Sequence, residues 1–446
     1  MPSTIICINP WIYDFAAHDL WAKPLGILKI AGILRNLGLD VILIDCLDIY
    51  NPDIPLHRRP KRKRYGTGKF FKKRIPPPEP LRGYGREYYR YGISEDTFIK
   101  ELKRVESPSA IFITSLMTYW YPGVFRAIDI SKKIHPDVPI VLGGIYATLC
   151  REHANRFSNA DLIIDCRDDS IEDQIINILD ELGIPYDRKI KKKNPYPAFN
   201  LLYGLDYICI QTSTGCPFRC SYCASPYLFP EFMRRDPEEV FEEILYWNRE
   251  YGIRDFAFYD DALLFDFENH LFQILKRVID KGLNLRFHTP NALHIRWIDR
   301  DVAELMYLSG FKTIRLGLES IDSAFHRKLD NKVSEEEFKS SVLALRKAGF
   351  KRDQIGTYIM IGLPDQDISS IIESIQIAGS MGTIPYLAEY SPLPHTPLWK
   401  RAVEVSPWDL TQEPLFHNNT LIPCWSEEKK WMISKIKAIS LRFRQR

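Results

Sequence analysis

Three cysteines are the residues of this chain whose spacing speaks most directly of chemistry. Cys216, Cys220 and Cys223 stand in the run Thr-Gly-Cys-Pro-Phe-Arg-Cys-Ser-Tyr-Cys, a Cys-x3-Cys-x2-Cys pattern directly after a strand-like stretch at 207–212. Structural zinc sites close a tetrahedron with four ligands, commonly two Cys-x2-Cys pairs, and no second pair follows here. Three thiolates this close together instead suit a [4Fe–4S] cubane, which leaves one iron open to a further ligand. A zinc clip and three unrelated buried thiols are the plainer uses of the same residues.

The elements that must position these thiols are legible around them. From about 201 to 400 the chain reads as six β/α repeats, with strands expected near 207–212, 255–259, 284–288, 312–318, 354–361 and 384–390. Asp236-Pro237-Glu238-Glu239 offers an N-cap, a proline at the first helical position and acids in the first turn, and Gly252 closes that helix. Ser334-x-x-Glu337 is a capping box, and Gly349 ends the helix it starts, as Gly282 and Gly310 end two others. Right-handed crossovers repeated six times curl into a partial (β/α)6 barrel of TIM type, whose chemistry sits at the C-terminal strand ends. The cysteines fall at that end of the first strand. The next strands end in Asp260-Asp261, in His288-Thr289-Pro290-Asn291, in Gly317-Leu318-Glu319-Ser320 and in Ile361-Gly362-Leu363-Pro364. The last continues into Ser391-Pro392-Leu393-Pro394-His395.

Residues 1–165 read as a separate Rossmann-like domain. Short apolar strands at 4–8, 41–44, 110–114, 139–142 and 161–164 alternate with helical patterns at 23–37, 97–105 and 124–134, which argues for a parallel sheet covered on both faces. The stretch at about 50–92 is rich in Pro, Gly, Arg and Tyr, shows no regular period, and is expected to be an irregular insert. Ligands of such sheets bind beyond the strand C-termini, here Asn9-Pro10, Thr114-Ser115, Gly143-Gly144 and Cys166. Trp11, Tyr13, Phe15, Trp21 and Tyr119-Trp120-Tyr121 crowd the same ends, where aromatic rings either fill the core or stack on a planar ligand. Residues 166–200 read as a charged helix and polar linker. Residues 401–446 read as a helical extension whose segment 426–444 carries Met432, Ile433, Ile436, Ile439 and Phe443 on one face, suited to packing on the barrel.

Bulk properties bound the function. At 446 residues, with 45% hydrophobic and 26% charged residues, the chain has the composition of a soluble protein of two or three domains. No apolar run approaches a membrane span, and no secretory leader pattern opens the sequence. Nine scattered cysteines argue for a reducing, cytoplasmic setting over a disulfide framework. The net charge of +3 hides a segregation: ten Lys/Arg lie between Arg58 and Arg74, leaving 50 basic against 57 acidic residues elsewhere. A solvated loop and a phosphate-binding patch are both open readings of that run. Gly66-Thr67-Gly68-Lys69 lacks the spacing and the following Ser/Thr of a phosphate loop.

The three-cysteine pattern, with aromatic Tyr222 before its last member, resembles the signature of the radical S-adenosylmethionine (SAM) superfamily. The first domain resembles, more loosely, the cobalamin-binding domain that precedes many such barrels. The resemblance implies an α/β chain, an N-terminal Rossmann-like parallel sheet followed by a partial barrel and a short helical tail. It implies that Cys216, Cys220 and Cys223 hold a [4Fe–4S] cluster whose open iron binds SAM, reductively cleaved to a 5′-deoxyadenosyl radical that attacks the substrate. Asp260 or Asp261 is expected at the SAM amine, Glu319 and Ser320 at its ribose or methionine part, and the backbone of Gly362 and Leu363 at adenine. Asn291 is a further candidate contact, and His395, where relatives often have glycine, is expected to face the substrate. In the first domain Thr114, Ser115, Gly143, Gly144 and Tyr146 are the candidate cobalamin site, expected to open toward the cluster. The cobalt-ligating Asp-x-His-x-x-Gly is missing, His18 being misplaced relative to Asp14, so any cobalamin is expected to lack a lower histidine. Only Cys424 follows Cys223, which excludes an auxiliary-cluster domain, and Cys7, Cys46, Cys150 and Cys166 are too scattered for a methylthiotransferase-type one. The implied class is methyl transfer or a related radical rearrangement on a small-molecule substrate, with a flavodoxin or ferredoxin as electron donor and neither membrane nor nucleic acid as partner. The rival is a non-catalytic metal-binding protein that uses its basic insert to hold nucleic acid or a protein.

Overall fold

The computed structural model describes residues 3–165, 167, 170–188 and 196–444, and Cys166 lies outside them. The chain divides into two compact units, one running up to Asp206 with Gln412–Leu415 added, the other from Tyr207 to Thr411 and from Phe416 onward.

In the first unit the order is β1 (Thr4–Asn9), β2 (Ile12–Asp14), α1 (Leu25–Asn36), β3 (Asp40–Asp45), β4 (Lys72–Ile75) and β5 (Tyr88–Tyr91). Then come α2 (Glu95–Lys103), β6 (Ala110–Ser115), α3 (Tyr121–Ile134), β7 (Ile140–Gly144), α4 (Ile145–Leu149), α5 (Arg151–Phe157), β8 (Leu162–Ile163) and α6 (Ile171–Glu181). Five strands pair in parallel in the order β3-β1-β6-β7-β8. The runs Ile5–Ile8 and Ala110–Ile113 are almost wholly buried, as strands covered on both faces require. The order reverses between β1 and β6, and that switch point is where sheets of this kind bind ligands.

The insert departs from the irregular segment expected. Lys72–Ile75 and Tyr88–Tyr91 are strands that join β2 in an antiparallel sheet, β2-β5-β4. Its edge strand is short and almost all basic, which hid it from an apolar period, and its pairing partner supplies the buried side chains Tyr88, Arg90 and Tyr91. Part of the basic run is spent inside this fold. Arg62 reaches Asp19 and the Gly66 carbonyl, Arg59 donates to the Tyr50 and Asn51 carbonyls, and Lys72 lies 3.7 Å over the Tyr89 ring. Trp11, Phe15, Trp21 and Tyr119 are buried, so they pack the interior.

The second unit opens with β9 (Ile208–Ile210), β10 (Ser213–Thr214), α7 (Ser225–Leu228), β11 (Met233–Arg234), α8 (Pro237–Tyr251) and β12 (Asp255–Phe258). It continues through α9 (Leu271–Asp280), β13 (Arg286–His288), α10 (Arg300–Ser309), β14 (Phe311–Glu319), α11 (Ser323–Leu329) and α12 (Glu335–Lys347). It closes with β15 (Ile355–Ile361), α13 (Ile368–Ser380), β16 (Ile384–Glu389), α14 (Trp399–Val405), α15 (Glu427–Trp431) and α16 (Ile433–Arg444). Six parallel strands neighbour one another in chain order, β9-β12-β13-β14-β15-β16, the sheet of a (β/α)6 partial barrel. Asp236 caps α8 and Gly252 ends it at φ 67, while Ser334 and Glu337 form the capping box of α12. The tail is two helices broken at Met432, not one. Its longer piece lies on α13, where Gly379 has no side chain and the Phe443 ring fills the space. Among the described residues no helix is long and apolar enough to cross a membrane.

Candidate active site

Asp260, at the end of β12, builds the entry to the cysteine loop. Its buried carboxylate accepts from the Thr212 N–H at 3.0 Å, the Ser213 N–H at 2.6 Å and the hydroxyls of both residues at 2.7 and 2.6 Å. Gly215 follows at φ 77, and a Cβ there would stand 2.4 Å from the Glu231 carbonyl oxygen. The loop is then stitched to its neighbours by Ser221, whose N–H donates to the Leu329 carbonyl at 2.8 Å and whose carbonyl accepts from Leu398 at 2.9 Å. Arg219 donates to the Cys216 carbonyl at 2.9 Å.

Cys216 and Cys220 are buried, Cys223 is half-buried, and all three are free thiols. Burial pushes each up to about 11, and a neighbouring thiol adds to this in each case. Lys332 pulls all three back, while Asp261 opposes it at Cys216 and Cys223. Three thiolates in such a place need metal charge beside them, and iron supplies it. Among the described residues no three His, Cys, Asp or Glu side chains converge on one ion. A cubane does not ask that of them, because each thiolate takes a different corner. The donor set therefore fits the cluster.

Beside the thiols lies a buried polar network that starts at the end of β14. Glu319 is 5% exposed and sits at φ 60, a left-handed conformation rare for such a residue, at a register shift between Gly317 and Glu319. Strain of this kind persists only where the surroundings enforce it. Lys332 enforces it, its Nζ 2.8 Å from Glu319 Oε1. Burial works against the charge on Lys332, but the Glu319 carboxylate outweighs it and the lysine pKa is raised. Asp330 accepts from the Tyr222 hydroxyl at 2.7 Å and holds His326 Nδ1 at 2.7 Å, and His326 Nε2 lies 2.8 Å from the Ser320 carbonyl. Lys332, Asp330 and His326 were not read from the sequence. Their signal was only a charged cluster in and just after the short helix that follows β14, with nothing to show that the chain folds back onto Glu319.

The remaining barrel candidates separate into open and internally used groups. Asp261 is exposed and accepts from the Ser225 hydroxyl, two residues beyond Cys223. With Asp260 consumed by the loop, the carboxylate available to a SAM amine is Asp261. Asn291 ties strand ends together by donating to the Tyr259 carbonyl at 3.0 Å. Ser320 is buried and its hydroxyl accepts from the Asp322 N–H at 3.1 Å. The expected adenine contact through Leu363 meets an obstacle: its N–H goes to Gln366 at 3.3 Å and its carbonyl to the Trp425 indole at 3.0 Å. Gly362, at φ 92, has the Ile422 side chain where a Cβ would point, 3.1 Å away. His395 is exposed, at φ 66, and stacks on Tyr227 with ring centroids 4.0 Å apart and planes 3° from parallel.

In the first unit the predicted cobalamin residues are mostly an internal knot. Ser115 donates to the Gly143 carbonyl at 2.7 Å and accepts from the Ala147 N–H at 3.2 Å. Gly144 is at φ 98, and a Cβ there would stand 2.2 Å from the Ser115 carbonyl oxygen, so this glycine serves the chain itself rather than a ligand. Tyr146 is fully buried, its hydroxyl 2.7 Å from His153 Nδ1 and its ring stacked on Tyr121. Gly143 has only Ile164 in ordinary contact, and Thr114 is half-buried. The surface that remains at the switch point is Leu116 and Met117, both exposed just past β6, together with Asn9, which donates to Asp45 at 2.6 Å. Exposed apolar side chains at a ligand-binding strand end fit a broad flat cofactor. His18, in the loop after β2, is exposed as well.

Comparison with known proteins bears on this geometry. The family model described as the radical SAM superfamily matches residues 210–378. An uncharacterized methyltransferase of Pyrococcus horikoshii is 24% identical over 347 residues, 70% of this chain and 74% of that protein. The cytidylyl-2-hydroxyethylphosphonate methyltransferase of Streptomyces wedmorensis is 22% identical over 380 residues, 71% of this chain and 65% of that enzyme. The chain thus spans less than two thirds of the second relative's length. Among solved structures, the radical SAM methyltransferase TsrM of Kitasatospora setae, with cobalamin and a [4Fe–4S] cluster bound, superposes with a TM-score of 0.64 at 14% identity. That match covers 91% of this chain and 76% of TsrM, and it shows a shared fold.

Proposed function

We propose that this chain, a radical SAM superfamily protein through its residues 210–378, is a cobalamin-dependent methyltransferase acting on a small molecule. The observation that carries the reading is the trio Cys216, Cys220 and Cys223 at the C-terminal end of the first barrel strand, gathered beside the Glu319–Lys332 pair. When bound, the cluster supplies the electron that cleaves SAM and cobalamin supplies the methyl carrier. The chain's own residues do the rest. The three cysteines would hold the cluster, Asp260 shapes the loop that presents them, Asp261 would accept the SAM amine, and Lys332 holds the Glu319 carboxylate in place. Leu116 and Met117 are the surface that would hold cobalamin. A flavodoxin or ferredoxin is the class of reductant that suits such a cluster, and a reducing cytoplasm suits its thiolates. The non-catalytic rival loses support because Arg59 and Arg62 of the basic insert are spent on the fold.

Anaerobic reconstitution tests the reading as a whole. Iron and sulfide content, 5′-deoxyadenosine and S-adenosylhomocysteine released from SAM, and the visible spectrum of added cobalamin are measured on one preparation. Zinc in place of iron, or iron without any turnover of SAM, would sink the enzyme. A cobalamin spectrum unchanged by the protein would remove the methyl carrier, and nitrogen hyperfine coupling from a protein histidine in bound cob(II)alamin would overturn the unligated lower face.

A further inference from the structure

The two faces of the barrel sheet differ in kind. Parallel register places partnered residues on the same face. One face carries Ile210, Phe256, Phe258, Ile314 and Leu316, each no more than 1% exposed. The other carries the polar residues Asp255, Arg286, His288, Thr313 and Arg315. A closed barrel of this family of folds fills its interior with branched apolar side chains, so a polar inner face calls for a polar occupant.

Part of that polarity is satisfied internally. Arg286 donates to Asp255 at 2.7 Å, His288 Nε2 lies 3.0 Å from the same carboxylate, and Thr313 closes the chain at 3.1 Å from His288 Nδ1. Arg315, on the same face, hydrogen-bonds to the Tyr358 side chain and has no carboxylate partner among the described residues. Its guanidinium is half-buried, donates to the Ile314 carbonyl at 3.0 Å and lies 4.7 Å over the Tyr386 ring. Arg444 lies over the same ring at 4.5 Å. Among the described residues neither guanidinium forms an ion pair. The nearest carboxylate along the strand, Glu319, is taken by Lys332. Gly356, the residue paired with Arg315, is what admits this arrangement: a Cβ there would stand 2.9 Å from Arg315 Nη1 and 2.7 Å from Tyr386 Cε2. A glycine inside a strand weakens it and marks a close approach, and here the approach is by a cation.

Two guanidiniums, one half-buried and one exposed, share the Tyr386 ring, and a common anion would suit both through the planar fork of arginine. We propose that Arg315, assisted by Arg444, binds an anionic group, phosphate or carboxylate, of the substrate. Arg315 stands four residues before Glu319, roughly 13 Å along the strand, so the anion is distal to the carbon that reacts. This assignment rests on the methyltransferase reading and deepens it to a class of substrate.

The test is calorimetric titration of the reconstituted protein with inorganic phosphate and, separately, with glutarate, in the millimolar range. Wild type is expected to bind at least one of them. Phosphate alone identifies a phosphorylated substrate and glutarate alone a carboxylic acid. Arg315→Gln should weaken binding about tenfold or more, the loss of a charge-assisted pair, Arg315→Lys should retain part of it, and Gly356→Ala should mimic the loss. Arg300→Gln, on an exposed helix position, controls for nonspecific attraction. Iron content and SAM affinity measured on the same samples report folding and the methyltransferase reading independently of the anion. Binding of neither anion by wild type overturns the proposal. So does equal binding by Arg315→Gln, or equal weakening by Arg300→Gln.

Discussion

Glu319 and Lys332 form a pair whose value depends on both members. Removing Lys332 alone leaves a buried carboxylate in a strained backbone, which costs about 3–5 kcal/mol. Lys332→Met is therefore expected to lower the thermal midpoint sharply, and Lys332→Met with Glu319→Leu to recover much of it while SAM binding stays lost. A double variant no more stable than the single one would show that the pair is not coupled. Asp260 and Asp261 divide the same way. Asp261→Asn should weaken SAM binding about ten- to a hundredfold with iron content intact, whereas Asp260→Asn should cost iron first, because its carboxylate holds the loop. Alanine at any one of Cys216, Cys220 or Cys223 should abolish the visible absorbance of the cluster. A triple variant that keeps its iron would refute the ligand assignment. In the first unit, burial raises Asp45 from 3.8 to about 6, with Asp48 adding and the Asn9 side chain opposing. The folded state then holds its proton more tightly than the unfolded one, so stability falls as pH rises through that window and stays lower above it. Asp45→Asn should raise the thermal midpoint at pH 8, by at most about 3 kcal/mol in stability, and leave it unchanged near pH 4. Equal effects at both pH values would contradict the shift.

At the scale of elements, two glycines that neighbour each other in sequence do different work. Gly144 starts α4 from a backbone conformation closed to other residues, against the end of β6, whereas Gly143 has room for a methyl group. Gly144→Ala should cost at least about 1–3 kcal/mol through strain plus displacement of the Ser115 backbone, and Gly143→Ala should be nearly neutral. Comparable losses in the two variants, measured by urea unfolding, would mean that the β6–β7–α4 junction is looser than its geometry. The cysteine loop follows the same logic, since Gly215 is pressed against Glu231 and Ser221 bridges the end of α11 and the residue before α14. Three separate elements hold the loop, so its shape is set before any cluster enters.

Across the whole molecule, ligand binding should appear as stability. A cluster bound to the folded but not the unfolded chain raises the midpoint by mass action. Reconstituted protein is expected to melt in two transitions, with iron raising the one that belongs to the second unit and cobalamin the one that belongs to the first. A single transition raised equally by either ligand would mean that the two units melt as one. The tail from Phe416 belongs to the barrel unit, because Trp425 bonds the Leu363 carbonyl and Phe443 sits on Gly379.

The three thiols, the order of the strands and the residues at their C-terminal ends could be read from one dimension, because each is local: a spacing, an apolar run, a cap. The six barrel strands lie within a few residues of their expected places for that reason. The strand at Lys72–Ile75 was hidden because a short basic edge borrows its apolar partners from elsewhere. Only tertiary contact decided which polar residues remain available. Asp260 and Asp261 are adjacent in sequence, yet one is bound by four donor groups from the first strand's end and the other is exposed. Leu363 lost its backbone to a tryptophan 62 residues away. Lys332 and Asp330 joined the candidate site because the chain after β14 doubles back, and Arg315 has no carboxylate partner among the described residues because its neighbours' charges cancel one another. Spacing along the chain records which chemistry a residue can do; burial and partners, set by distant segments, determine whether it is free to do it.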